Sequence, residues 1–391
     1  MSLSEYLLQN YNNFCKYASK KLHEVSFYTY FLDKDTTLTG ILKNKFYFSC
    51  VFARIFVPLQ GILNNTHFLE QIKSTTMINR TLVRTKIIQT LFAYYKTDEH
   101  SPLSARKELL SSFSSTYSLY MVLLAFADEL TTYAENQLSA NQARAAVLHQ
   151  EYTPNRNFVN NRVAQQLFNN RRLRTYIEDQ HLSWDTGMSA VESVYKQLIQ
   201  APFYIDYMQL ESPTYEDDKR IWRKIYSSLL LNNDDLSNAL EDMEIALDFQ
   251  GWTNEVDLVL TYIDKTIKRF AEENGDEQVL LEMFNSEDEL NFAKDLLRLV
   301  IENASEYKQL IANSLHNWEA ERIAYMDHII LITAITEISH FNNIALEISM
   351  NEYIELAKEF SGEKSYTFIN GILNNIVGQL KRENKIFKSV R

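Results

Sequence analysis

Cysteine is nearly absent: Cys15 and Cys50 are the only two in 391 residues. One disulfide is arithmetically possible, but a framework of bridges holding a small secreted domain is excluded. Chain-breakers are scarce too, with 8 glycines and 5 prolines, too few for the turn-rich connections of sandwiches and barrels. β-Branched residues do not alternate with polar ones, so the period-2 mark of half-buried strands is missing as well. Net positive charge is lacking, the formal value being −12. That excludes sequence-independent nucleic-acid binding, which needs a broad basic field. A local basic patch on an acidic body stays open, and would steer association to itself. The start, MSLSEYLLQNY, has neither the basic flank nor the apolar centre of a signal peptide. Residues 46–63 are the most apolar run near that end, but Arg54 interrupts them. They fall short of the roughly 20 apolar residues a membrane span requires. The expectation is an all-α, cytoplasmic protein with no membrane partner.

Catalytic patterns are missing in the same way. There is no glycine-rich phosphate loop, no HExxH and no GxSxG elbow. The eight histidines are scattered. Glu216-Asp217-Asp218 lacks the spacing of a calcium loop and reads as a helix start. Neither an enzyme nor a cofactor is expected.

What the chain does contain is helical periodicity, most clearly near its end. Met350, Tyr353, Ile354, Ala357 and Phe360 recur every three or four residues. Ser361-Gly362 then breaks the stripe, with glycine placed for a left-handed helix terminus. A second stripe follows in Phe368, Ile369, Ile372, Leu373, Ile376, Val377 and Leu380. Two amphipathic helices on so short a connection must pack as a pair. Gly371 lies inside the second stripe and is expected to permit close helix approach.

The segment NEYIELAKEF followed by SGEKSYTFINGIL resembles the C-terminal signature of the bacterial antitermination factor NusB family. That signature runs roughly N-E-A-[IV]-E-L-A-K-x-[FY], G-x-[ED]-K-[ST], then F-[IV]-N-G-[IV]-L. Tyr353 and Tyr366 replace small or polar residues, and Ala345 stands where the family has proline.

Upstream, residues 77–96 read MINRTLVRTKIIQTLFAYYK. Val83, Ile87, Leu91 and Tyr94 share one helical sector, flanked by Ile88 and Tyr95. Arg80 and Arg84 lie in or beside it, with Lys86 on another flank. An unpaired buried guanidinium is too costly, so this end is expected to leave the core as a basic tip. The family's first helix is likewise arginine-rich, and Ile88-Gln89-Thr90-Leu91-Phe92 is similar to its following core segment.

Between these parts, residues 97–285 have no counterpart in the short form of the family and resemble the insertion of longer forms. Residues 119–130 are apolar on almost all sides and read as a buried helix. Arg156, Arg162, Arg171, Arg172 and Arg174 are clustered with no acidic residue between them, and are expected mostly to pair with the acidic body of the insertion. Val256, Leu260, Ile263, Ile267 and Phe270 form a further stripe. Ser286 and Glu289 predict a capping box, ahead of Phe292, Leu296, Leu299, Val300 and Ala304. Residues 318–340 predict another helix, ending a family core resumed over 286–391. Residues 1–76 carry both cysteines and a charge of +3, from eight basic and five acidic residues. They read as an N-terminal extension, in the manner of an over-long start, that the fold is expected not to require; an accessory helical unit is the rival.

The resemblance implies a NusB-like helical bundle with a large helical insertion, and a role without catalysis. It implies a transcription antitermination factor that pairs with a small-subunit ribosomal protein (Nus factor E). That pair binds boxA-type RNA within an RNA polymerase antitermination complex. Carried over by residue, it implies RNA contacts at Arg80, Arg84, Lys86, Lys364 and Phe368, and a partner contact at Asp327. Each has a plainer reading: arginines paired with insertion carboxylates, a solvated Lys364 and Asp327, a core Phe368. A protein-binding scaffold without RNA contact is the alternative, as is a module related to that of ribosomal RNA methyltransferases.

Overall fold

The computed structural model describes residues 76–97, 100–249, 251–315 and 324–386, without the side chains of Glu363 and Lys364. The expectations for residues 1–75, and for the first residues (318–323) of the helix expected over 318–340, lie outside the described residues. In order, the helices are α1 (Arg80–Lys96), α2 (Pro102–Val147), α3 (Arg162–Asn169), α4 (Arg171–Asp179) and α5 (Met188–Leu198). Then come α6 (Pro202–Met208), α7 (Tyr215–Ile225), α8 (Asp234–Leu247) and α9 (Trp252–Lys268). The last four are α10 (Glu287–Asn313), α11 (Tyr325–His340), α12 (Leu346–Ser361) and α13 (Glu363–Arg382). A lone bridge from Thr76 to Glu282 is the only β-pairing among the described residues. The protein is all-α.

Two apolar cores organise these helices. The first gathers α1, the start of α2 and α10–α13 around Val83, Ile87, Leu109, Phe113, Leu296 and Ile330. Helices α1 and α11 run through its middle and are buried on nearly all sides, which is why neither shows a clean polar face. The second core gathers α3–α9 on the middle of α2. The apolar run expected to be a buried helix is that middle: Leu119–Leu124, Phe126, Ala127 and Leu130 are all enclosed. By length and composition α2 is apolar enough to cross a membrane, but 72% of its apolar window is buried inside the protein.

The division between the cores runs through α2 rather than along a loop. Leu109 and Phe113 belong to the first core, Tyr117 and Tyr120 to the second. Its 46 residues make a rod of roughly 70 Å at 1.5 Å per residue. The second core is therefore mounted on a continuous helix.

Local chemistry departs from expectation in two places. Ser286 makes no side-chain cap bond; Glu289 instead reaches back to accept the Asn285 amide at 3.1 Å. Neither half of the capping box forms, because the Glu289 carboxylate takes the amide one residue before the cap instead of that of Ser286. Gly371 is exposed, and a Cβ there would meet nothing within 4 Å, so no helix approaches it. The expected stop at Gly362 does occur, with φ +86° between α12 and α13. Thr214 and Asp217 form a complete capping box at the start of α7, so that acidic cluster is a helix start.

Candidate functional site

The N-terminal half of α1 was expected to project as a basic tip. Arg84 does the opposite: its side chain is 2% exposed. Glu337 of α11, at 0%, receives both Arg84 Nε and Nη2 at 2.8 Å. Ser349 Oγ (2.7 Å) and Tyr353 Oη (2.9 Å), both from α12, donate to the same carboxylate. Arg84 Nη1 also reaches Glu352 at 3.2 Å. A buried guanidinium survives because a carboxylate and two hydroxyls satisfy the pair, with forked geometry that only arginine offers. Burial pushes the Glu337 carboxyl up, but the Arg84 bond and charge, with the two hydroxyls, bring it below the ordinary value. Burial likewise opposes the charge on Arg84, and Glu337 reverses that and holds it protonated.

Lys86 is also buried, at 4%, and pairs with Glu255 of α9, whose other oxygen accepts from Thr116 Oγ1 of α2. It ties the first helix to the insertion. Of Arg80, Arg84 and Lys86, the three cations in the N-terminal half of α1, only Arg80 is partly exposed and makes no ion pair among the described residues. Its guanidinium lies 5.1 Å from the Phe292 ring centroid.

The remaining sites fall on α11 and α13. Lys364 opens α13, and its side chain lies outside the described residues. Phe368 is half-buried against the first core. Asp327, in the first turn of α11, is 4% exposed rather than solvated, and its Oδ1 has no hydrogen-bond partner among the described residues. Tyr95 Oη, at the far end of α1, is a second buried atom without one. Burial, with Tyr94 and Tyr325 adding to it, pushes the Tyr95 hydroxyl up to about 12. Lys308 Nζ sits 4.9 Å from the Tyr95 ring, and Lys96 Nζ lies 4.9 Å from Tyr325. Phe92 and Tyr325 meet edge-to-face at 5.7 Å. Aromatic and cationic side chains thus gather around the Tyr95 hydroxyl, and buried polar groups without a partner are rare inside proteins.

The arginines of the insertion pair internally. Arg156 bonds Glu135, Arg162 bonds Asp218 and Glu272, Arg171 bonds Glu277, Arg172 bonds Glu282, and Arg174 bonds Asp128. Sequence reasoning missed Glu337 and Phe292 as neighbours of these arginines. One signal was available: Glu337 is the lone charge in the run ILITAITEIS. Among the described residues no group of three His, Cys, Asp or Glu side chains can hold a metal ion.

These features define an all-helical bundle clasped by one buried arginine–glutamate hub, with a second helical core carried on α2. A model of the NusB family matches residues 253–378, from α9 into α13. The transcription antitermination protein NusB of Bacillus subtilis (strain 168) is 37% identical over 91 residues, 23% of this chain and 70% of that protein. Its counterpart in Ligilactobacillus salivarius (strain UCC118) is 41% identical over 101 residues, 26% of this chain and 76% of that protein. A third, from Fusobacterium nucleatum subsp. nucleatum, is 42% identical over 91 residues, 23% of this chain but only 59% of its own length. The chain belongs to the NusB family. No solved structure matches it. Helix α1 lies outside the span of the family model, so its likeness rests on the residues of 77–96.

Proposed function

We propose that this protein is a non-enzymatic, cytoplasmic, RNA-binding transcription antitermination factor. It acts with a small-subunit ribosomal protein on boxA-type RNA, within the RNA polymerase antitermination complex that transcribes ribosomal RNA. The observation that supports the RNA side is Arg80, a cation in the first turn of α1 with no carboxylate among the described residues, while Arg84 and Lys86 are neutralised in the core. Binding by one or a few such cations gives a shallow salt dependence, each phosphate contact adding roughly 0.7 to the slope for single strands. Lys364 and Phe368 at the start of α13 complete the RNA side, and Arg84 serves it indirectly by anchoring α1.

On the partner side, a protein segment that brings a donor to Asp327 Oδ1 and an acceptor or donor to Tyr95 Oη relieves two desolvated groups, each costing about 1–3 kcal/mol while unpaired. The same pair of atoms favours the second reading, a protein-binding scaffold without RNA contact. A gel shift of boxA RNA, with and without the ribosomal protein, separates the two. Retardation that strengthens with the partner is expected. Partner binding with no RNA shift selects the scaffold, and neither shift overturns both.

A further inference from the structure

Phe292, near the start of α10, carries two cations on one ring. The guanidinium carbon of Arg80 is 5.1 Å from its centroid and that of Arg84 is 5.7 Å. The two arginines stand one turn apart on α1. Arg84 is held in place by Glu337 and Glu352. The ring itself is 5% exposed and meets Phe341 edge-to-face at 5.0 Å, so it is a fixed platform. The Glu352 carboxylate is engaged by Thr81 Oγ1 at 2.8 Å and by Arg84 Nη1 at 3.2 Å. The first turn of α1 contains no acidic residue. A guanidinium resting on an aromatic face is attracted by the ring quadrupole, and its planar N–H edge stays free to fork onto an anion. Holding it there beforehand removes part of the ordering cost of binding.

We infer that Phe292 is a positioning residue for RNA: it presents Arg80 as a preorganised fork for one phosphodiester group. The inference rests on the RNA-binding reading above and names how Arg80 is aimed. Arg80 touches the phosphate; Phe292 acts through Arg80 and touches no nucleotide.

The test is a double-mutant cycle on the full chain, reading the affinity for a fluorescein-labelled single-stranded boxA oligonucleotide across a salt series. Phe292→Leu is expected to weaken binding by about 2- to 30-fold, the range that a cation–π contact spans from exposed to desolvated sites. The salt slope stays unchanged, because the charge is still there. Arg80→Ala lowers the slope by roughly 0.7, and Phe292→Leu then adds no further loss. Phe292→Tyr, which keeps the ring face, retains the affinity of the unaltered chain. Should Phe292→Leu fail to fold, Arg80→Lys carries the test: charge kept, planar fork lost, affinity down at constant slope. Equal loss from Phe292→Leu with and without Arg80 assigns the ring a purely structural role and overturns the inference. So does undiminished binding by Phe292→Leu or by Arg80→Lys. No binding by the unaltered chain overturns the RNA-binding reading and this inference together.

Discussion

The two cores of this protein handle cationic residues in opposite ways. The family core encloses Arg84 completely and meets it with Glu337, Ser349 and Tyr353, all buried. The insertion leaves Arg156, Arg162, Arg171, Arg172 and Arg174 between 35% and 81% exposed, each against a carboxylate. A buried pair is costly to desolvate but almost indivisible once formed, since removing one member strands the other. Exposed pairs are individually weak and add little when counted. One core thus concentrates its polar risk in a single hub linking α1, α11 and α12. The other spreads it over surface ties that join α3 and α4 to neighbouring segments.

The sharpest way to break this contrast is Glu337→Gln. It leaves the buried Arg84 charge with only the partly exposed Glu352 as counter-ion, at an expected cost of about 3–5 kcal/mol. Thermal unfolding followed by circular dichroism is expected to fall by roughly 10 °C, since each kcal/mol moves a domain of this size by some 2–4 °C. A loss under about 1 kcal/mol would mean the hub behaves like a surface pair.

Acid distinguishes the two regions by sign. The Glu337 carboxyl is depressed, so its contribution is present above the unfolded value near 4.3 and is lost as pH falls through the lower folded value. Asp128 differs: burial pushes its carboxyl up, the Arg174 charge and bond pull it down, and burial wins. Its contribution is present below the unfolded value and is lost as pH rises through the raised folded one. Glu337→Gln is therefore expected to flatten the loss of stability below pH 4.3, whereas Asp128→Asn is expected to steepen it. Denaturant melts at a series of acid pH values read both slopes.

Next in size is Lys86→Met, at the seam between the cores. It keeps the buried stem but leaves Glu255, 14% exposed and still bonded to Thr116. Because that carboxylate keeps some solvent and one donor, the cost is expected to be about 1–3 kcal/mol, less than for Glu337. A loss matching that of Glu337→Gln would place the seam on a par with the hub.

Smaller still is Gly371→Ala, expected to stabilise by about 0.5–1 kcal/mol, since the position is helical, exposed and open. Any destabilisation would show that an unseen surface covers α13 there. The smallest effect belongs to Arg171→Ala. Its side chain is 81% exposed against a 72% exposed Glu277, and a change below about 0.5 kcal/mol is expected in the same melts. A large loss would erase the distinction between the two regions.

Much of the architecture was legible before any coordinates. The stripe from Val256 to Phe270, the buried run in α2 and the helix stop at Gly362 all depend on neighbours three or four residues away. Internal pairing of the insertion arginines followed from charge balance alone. The site was less legible. Arg84 lay in or beside the apolar sector and Lys86 on another flank, and both were expected at a basic tip because an unpaired buried charge is costly; a helical wheel has no means of showing what faces them. Asp327 could be read as a solvated helix residue because its burial comes from the other helices of the first core.

By itself, then, the sequence determined the all-α class, the family and the stripes that become two cores. Those are local properties, repeated over many turns, and burial of apolar surface enforces them wherever the helices meet. Only the tertiary structure decided which cations go inside. Arg84 meets Glu337 across 253 positions and Lys86 meets Glu255 across 169. A buried charge is forbidden or permitted by whether an opposite charge arrives beside it, and chain topology alone brings such distant partners together.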